Sequence, residues 1–413
     1  MNNKIYDLIV IGGGPTGIIA SYFANKKGKK VLILEKKSEL GKKILITGKG
    51  RCNITNTSIN EREFADKFGK NGKFLLNALY QFSPNKVCDF FKSIGVDNVE
   101  ERGGRVFPKN GNAKTLRDTL VKEIKKNGVD ILTSTTVNDI KFNDDKIISI
   151  KTSKQEFKAK NYLIATGGLS FPETGSTGDG HKLLKKLGLN LVDTTPSLTP
   201  LVTEENWTKD VKNFNLKNVE ISLFINNKKV NSKFGEAFFT FNGIGGPIVL
   251  DLSKQAILAL KDNDKVKLFL NMKPSVDKKE FENRIIKLTE ELRKEPILNL
   301  LRKILPKDMS NLFMNLYVDN KNLKCSEISK KLRKQLLNFI TELKLTIVGS
   351  EGYKKAIITA GGLNVKEVDP KTMRVKKYKN LFVAGELLDL DAPTGGYNIQ
   401  ACWSSGFLVG DNL

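Results

Sequence analysis

Short apolar runs that stop at glycine set the pattern of this chain. Residues 8–11 are wholly apolar and end at Gly12, which predicts a buried parallel strand entering a glycine turn. Residues 16–27 carry a helical pattern closed by Gly28, and residues 31–34 form a second apolar run ending in Glu35. Helical patterns follow at 64–82, 84–94 and 115–126, then three short strand patterns at 130–133, 137–142 and 146–152. Residues 162–166 make another apolar strand, which stops at Gly167 and Gly168. The character then changes. Segments 218–225 and 265–271 alternate or are β-branched, with a helix expected after the turn at 241–247, and residues 274–345 read as helical. From residue 356 the strand-and-glycine pattern resumes, with an apolar strand at 380–386 and a last helix at 399–409. The pattern predicts an α/β fold. A Rossmann-type domain is split between residues 1–188 and 346–413, with an inserted β-rich domain at 189–272 and a helical segment at 273–345.

The first turn has a chemistry. Gly12, Gly14 and Gly17 stand in G-x-G-x-x-G spacing, with Pro15 and Thr16 at the helix start. The first glycine permits the sharp turn, the second admits a pyrophosphate to the backbone, and the third lets helix and strand pack closely. The helix start offers free N–H groups and a positive dipole end to phosphates. Glu35, followed by Lys36, sits where a carboxylate accepts bonds from ribose hydroxyls and disfavours a ribose phosphate, which argues against NADP in this site. The turn alone does not separate NAD from FAD.

Other segments extend the candidate site. Residues 41–56 (GKKILITGKGRCNITN) are too rich in glycine and polar residues for a regular element, and a loop this long is usually functional. Lys43 and Arg51 are candidates to meet phosphate charge. Backbone N–H groups from Thr47 through Gly48 and Cys52 to Asn53 are candidates for a flavin ring edge. Cys52, with no partner thiol nearby, also reads as structural. Thr166, Gly167 and Gly168 close a strand whose small residues let the backbone pass near a cofactor, and Val137 joins the candidate set. Gly385 and Glu386 end a strand where an acid can bind a ribityl or pyrophosphate group. Gly395, Gly396, Tyr397, Asn398 and Ile399 open the last helix, whose N–H groups can face the electron-rich end of a flavin. Residues 175–181 (GSTGDGH) read as a capped helix entry in preference to a second anion cradle, because no strand leads into them.

Composition narrows the chemistry. The 413 residues are 39% hydrophobic and 28% charged, suited to a globular protein of two or three domains. There is one histidine, His181, which removes multi-histidine metal sites and leaves a dinucleotide fold to borrow its chemistry from a cofactor. Four cysteines, none in a C-x-x-C pair, are expected to be reduced thiols. No apolar run approaches a membrane span and the first run enters the glycine turn directly, so the expected location is the cytoplasm. The formal net charge is +24. Its lysines are scattered with little aromatic interleaving, so a solvated surface is favoured over a nucleic-acid partner.

Taken together, GGGPTGIIAS, ITGKGRCNITN, ATGGLSFPETGSTGDGH, PSLTPL, GIGGP and AGELLDLDAPTGGYNIQACWSSG make nearly the whole chain resemble a bacterial family of FAD-dependent oxidoreductases. These are the YhiN-like or aminoacetone-oxidase-like proteins, which include a reductase of bile-acid dehydroxylation. The resemblance implies a two-dinucleotide-fold flavoprotein with FAD held by the residues named above. It implies hydride passing through the flavin from transiently docked NADH or NADPH to a small molecule (an enone, a carbonyl compound or oxygen). The alternative, motivated by the positive charge, is a flavin-containing protein associated with RNA or DNA, using FAD in RNA modification or as a structural ligand. Family members often carry Thr-His before the Gly-Ile-Ser-Gly-Pro turn. Here Thr240 is followed by Phe241 and the turn reads Gly243-Ile244-Gly245-Gly246-Pro247, so no histidine proton donor is available there.

Overall fold

The computed structural model describes residues 5–413. The chain divides into two compact units. One joins the residues up to Pro196 to Ala356–Leu413, and the other is Ser197–Lys355.

The first unit is organised by a five-stranded parallel sheet. Its strands run in the order Leu381–Val383, Ala159–Ile164, β1 (Tyr6–Ile11), β2 (Val31–Leu34) and Asp130–Leu132. Leu8, Ile9 and Val10 of β1 are fully buried, as a parallel strand covered on both faces requires. Ile11 stands opposite Ile164 on one side and Leu34 on the other, which brings three strand ends to one edge. The tail strand completes this edge, with Ile164 opposite Val383. Helix α1 (Pro15–Lys26) packs on the tail helix Tyr397–Asp411 through small residues. A Cβ at Gly406 would stand 2.6 Å from the Thr16 carbonyl oxygen, and one at Gly410 would stand 2.6 Å from that of Ala20.

Three expectations differ from this architecture. The helix expected at 64–82 is broken into Glu61–Asp66, a 3-10 segment Gly69–Leu75 and Leu76–Gln81. The chain folds back there because Gly72 lies where a Cβ would be 1.9 Å from the Ala65 oxygen. The strand at 130–132 leaves its expected meander and joins the main sheet beside β2, while residues 137–157 form a separate three-stranded sheet. The loop at 41–56 contains a short helix, Lys42–Ile46, that buries Ile44.

The second unit is a closed antiparallel barrel. Around it run Leu201–Thr203, Gly243–Gly245, Lys228–Phe239, Asn215–Ile225, Val266–Asn271 and Leu343–Ser350. Helix Pro247–Lys261 packs against the barrel, and four helices between Lys278 and Thr341 share its core. The segments read as 189–272 and 273–345 therefore lie in one unit with one core. The reason is topological: the strand that closes the barrel, Leu343–Ser350, follows the helices in the chain. Phe241 is 62% exposed at its turn. No helix among the described residues is long and apolar enough to cross a membrane.

Candidate functional site

The glycine turn assigns each glycine a different duty. Gly12 has φ +106° and a Cβ there would lie 2.5 Å from the Ala165 oxygen, so the turn tolerates no side chain. At Gly17 a Cβ would meet the Gly12 oxygen at 2.1 Å, which fixes how closely α1 approaches β1. Gly14 has an ordinary extended conformation, and a Cβ there would meet nothing within 4 Å. Nothing in the protein itself requires glycine at that point. The space above it, next to N–H groups of α1 that no side chain caps, suits a phosphate. Glu35 is buried at the tip of β2, where its carboxylate accepts from the Gly13 N–H (2.8 Å) and the Lys37 N–H (2.7 Å). It thereby ties the turn to the second strand.

Eleven of the sequence-derived candidates line one cleft in the first unit: Gly12, Gly14, Pro15, Thr16, Glu35, Lys36, Lys43, Val137, Thr166, Gly167 and Glu386. Cys402 of the tail helix also faces it, so the cleft is walled by both ends of the chain. Sequence reasoning missed Thr135, Thr136, Thr174 and Ser176, which line it too. Small hydroxyl residues in connecting loops carry no spacing signal. The segment at 175–181 enters a helix, Asp179–Lys186, after Gly178 at φ +80°, but no side chain caps it and Asp179 stands in its first turn. Lys36 Nζ donates to Asp179 (2.5 Å) and to Thr177 Oγ1 (2.6 Å), which draws this segment onto the wall of the same cleft.

Lys43 and Glu386, candidates for separate contacts, meet each other. Lys43 Nζ lies 2.6 Å from Glu386 Oε2 and 2.6 Å from Ser170 Oγ. Glu386 Oε1 accepts from Ser170 Oγ (2.6 Å) and from the Thr359 N–H (3.0 Å). The side chains are 19% and 8% exposed, so this is a partly desolvated, hydrogen-bonded pair. His181 lies nearby. Burial holds its imidazole below the usual histidine range, against a smaller upward pull from Glu386, and both ring nitrogens are buried without a partner.

The remaining candidates do not line the cleft. Gly168 and Gly385 serve close packing: a Cβ would stand 2.4 Å from Thr359 Oγ1 at the first and 2.2 Å from Thr16 Oγ1 at the second. Arg51, expected to meet phosphate, pairs with Glu101 and lies over the Phe107 ring at 4.1 Å. Thr47, Gly48 and Cys52 belong to one reversing loop, closed by the Cys52 N–H on the Thr47 carbonyl (3.0 Å), and Asn53 follows it beside Gly396. The chain reverses there through left-handed Gly48, Lys49, Gly50 and Cys52. Gly396, at φ +99°, passes so close that a Cβ would lie 2.6 Å from the Thr55 oxygen and 3.1 Å from Asn53 Oδ1. The Gly395 carbonyl accepts from Asn56 Nδ2 (3.2 Å) and the Ile54 carbonyl from Trp403 Nε1 (3.0 Å). Asn398 ties its side chain to both backbone groups of Ala392, Tyr397 packs edge-on to Phe64, and Ile399 packs against the core. Asn53 Oδ1 is left buried with no donor.

The thiols are not reactive groups. Burial pushes Cys52 up to about 12 and Cys402 up to about 11, and all four cysteines are buried and unpaired. Iodoacetamide at pH 8 is expected to leave Cys52 and Cys402 unmodified in the native protein and to modify all four in denaturant, as read by mass spectrometry. Among the described residues no cluster of three or more His, Cys, Asp or Glu could hold a metal.

Comparison with known proteins agrees with this geometry. The family model described as "HI0933-like protein Rossmann domain" matches residues 6–412. The chain is 28% identical over 407 residues to a 3-dehydro-bile acid delta(4,6)-reductase of Clostridium scindens, covering 97% of each chain. It is 28% identical over 402 residues to a ribosomal RNA dihydrouridine synthase of Haemophilus influenzae, covering 97% of this chain and 96% of that one. Its fold is shared with 3-ketosteroid-delta4-(5alpha)-dehydrogenase of Rhodococcus jostii RHA1. That match has a TM-score of 0.56 at 15% identity and covers 99% of this chain and 96% of the other. The chain therefore belongs to the HI0933-like family of Rossmann flavoproteins, which are FAD-dependent oxidoreductases.

Proposed function

We propose that this protein is a reductase that adds hydrogen across a carbon–carbon double bond conjugated to a carbonyl group, with NADH or NADPH as the source of hydride. The names of the two relatives support this reading. Reduction of a 3-keto bile acid at its 4,6 double bonds and saturation of uracil to its dihydro form are reactions of one electronic class. In each, hydride adds to an alkene carbon made electrophilic by a conjugated carbonyl. The acceptor is accordingly either a free enone or a uracil base within RNA.

The observation that carries the reading is the cleft. It has open space at Gly14 and the Glu35 carboxylate in its lining, and its walls come from both ends of the chain. Gly12, Gly14 and the start of α1 would hold the pyrophosphate of FAD, and Glu35 the ribose. Outside the cleft lining, Asn53 Oδ1 is a buried acceptor lacking a donor and would suit an N–H of the ring system, beside the tail-helix start that no side chain caps and that would favour negative charge. Bound FAD supplies the hydride transfer chemistry. The protein supplies position and a desolvated surround. On the cleft wall Lys43 and Glu386 compensate each other's charge.

The test is anaerobic reduction of the purified yellow protein by NADH and by NADPH, followed by reoxidation in the same cuvette. A 3-keto-4-ene steroid and a uridine-containing RNA transcript are offered separately. Reoxidation by one of them, with a product gaining two mass units, is the expected result. A folded protein that takes up no FAD, or a reduced flavin that neither acceptor oxidises, would overturn the proposal.

A further inference from the structure

The barrel of the second unit carries a surface that the oxidoreductase site does not use. On the strands Asn215–Ile225 and Val266–Asn271, Ile221, Leu223, Leu268 and Leu270 point inward and are fully buried. The alternate positions point outward. Two of these are phenylalanines, Phe224 and Phe269, both half-buried, which meet edge to face at 4.8 Å between ring centres.

Strand register places basic side chains around this pair. Phe224 stands opposite Lys229 on one neighbouring strand and opposite Lys267 on the other. Phe269 stands opposite Ser222 on one side and Lys344 on the other. Across the four strands the outward rows read Lys229, Phe224, Lys267, Thr346 and Ser232, Ser222, Phe269, Lys344. Lys229 and Lys344 are exposed; Lys267 is half-buried, its Nζ donating to Asn227 Oδ1 at 3.0 Å. Farther along the same face Phe234 is 62% exposed opposite Glu220, the acid on these rows. Glu220 lies 3.5 Å from Lys229 Nζ and also binds Ser232 Oγ, so its charge is partly engaged.

We infer that this outer barrel face, with Phe224 and Phe269 between Lys229, Lys267 and Lys344, is a docking platform for single-stranded RNA. The inference rests on the uracil form of the reading above. Rings set among lysines offer base stacking and phosphate neutralisation together, the combination that single strands use. A membrane surface calls for a contiguous apolar patch, and here lysines and serines interrupt the rings. An added peptide strand needs an open sheet edge, and a closed barrel has none. The net charge of +24 has the sign that a polynucleotide needs.

The test uses the full-length FAD-loaded protein and a fluorescent uridine-rich RNA of about 12 nucleotides, a length within the range of such sites. Binding is read by anisotropy across a salt series. Phe224→Ala/Phe269→Ala is expected to weaken binding about tenfold or more with the salt slope unchanged, because stacking is lost and no charge is removed. Lys229→Gln/Lys344→Gln is expected to weaken binding and reduce the salt slope by about 1 to 2, one phosphate contact per lysine. Lys125→Gln/Lys366→Gln removes the same charge from the first unit and is expected to change neither the affinity nor the slope beyond error. Thermal melts confirm that each variant is folded, and the lysine pair tests the face even if the phenylalanine pair fails to fold. Equal weakening by the two lysine pairs would overturn the inference as nonspecific attraction. So would absence of binding at physiological salt, or equally tight binding of polyglutamate or of vesicles containing anionic lipid. RNA bound at this face by a protein whose reduced flavin no acceptor oxidises would leave the platform standing and remove the reductase reading. Turnover of the steroid with no RNA binding would do the reverse.

Discussion

Replacing Gly14 by alanine is expected to lower the affinity for FAD by about ten- to a hundredfold while leaving the melting temperature of the apoprotein unchanged. The magnitude corresponds to about 1–3 kcal/mol, the usual cost of forcing one extra carbon into a close contact. The added Cβ meets no protein atom within 4 Å, and the backbone at Gly14 is extended, so the fold has no reason to resist it. A bound pyrophosphate would resist it. Gly17→Ala provides the contrast, because its Cβ would meet the Gly12 oxygen at 2.1 Å and should destabilise the apoprotein directly. Calorimetric titration of each apoprotein with FAD, beside its thermal melt, separates the two effects. Unaltered affinity in Gly14→Ala would show that no ligand approaches the backbone there.

The second large effect is expected at the ion pair. Lys43→Met should destabilise the apoprotein by about 3 kcal/mol at pH 7, because it strands Glu386 in a site where its side chain is only 8% exposed. Ser170 Oγ and the Thr359 N–H still reach that carboxylate, which keeps the cost at the lower end of the range for broken buried pairs. Adding Glu386→Gln to Lys43→Met should restore most of the loss, since the stranded charge is then gone. Urea denaturation of the two single variants and the double variant gives the coupling. Additive losses would mean that the two side chains act independently, whatever their 2.6 Å separation.

The parts of the site that the sequence made legible are those held by local geometry. Gly12, Gly14, Gly17 and Glu35 lie within one strand–helix–strand unit, so their spacing alone places them at one sheet edge. Other groups could not be located that way. Lys43 and Arg51 each offered a cation for phosphate, but a charge takes the best partner that folding brings within reach. For Lys43 that partner is Glu386, 343 residues away, and for Arg51 it is Glu101. The glycines at 168 and 385 look like ligand glycines in the sequence, yet here they make room for Thr359 and Thr16.

The apolar runs, the glycine spacing and the acid at the second strand tip were enough to determine a Rossmann fold with a dinucleotide-type turn, though not which dinucleotide, because a continuous apolar strand has to be buried and a glycine turn has to be tight. Tertiary structure alone decided that the barrel closes only with a strand lying beyond four helices, and which side chains share a surface. Lysines that read as scattered along the chain flank two aromatic rings once antiparallel register sets residues 224, 229 and 267 side by side. The physical reason is that neighbours within a strand or helix follow from sequence period. Neighbours across strands follow from register, which the packing of the whole barrel sets.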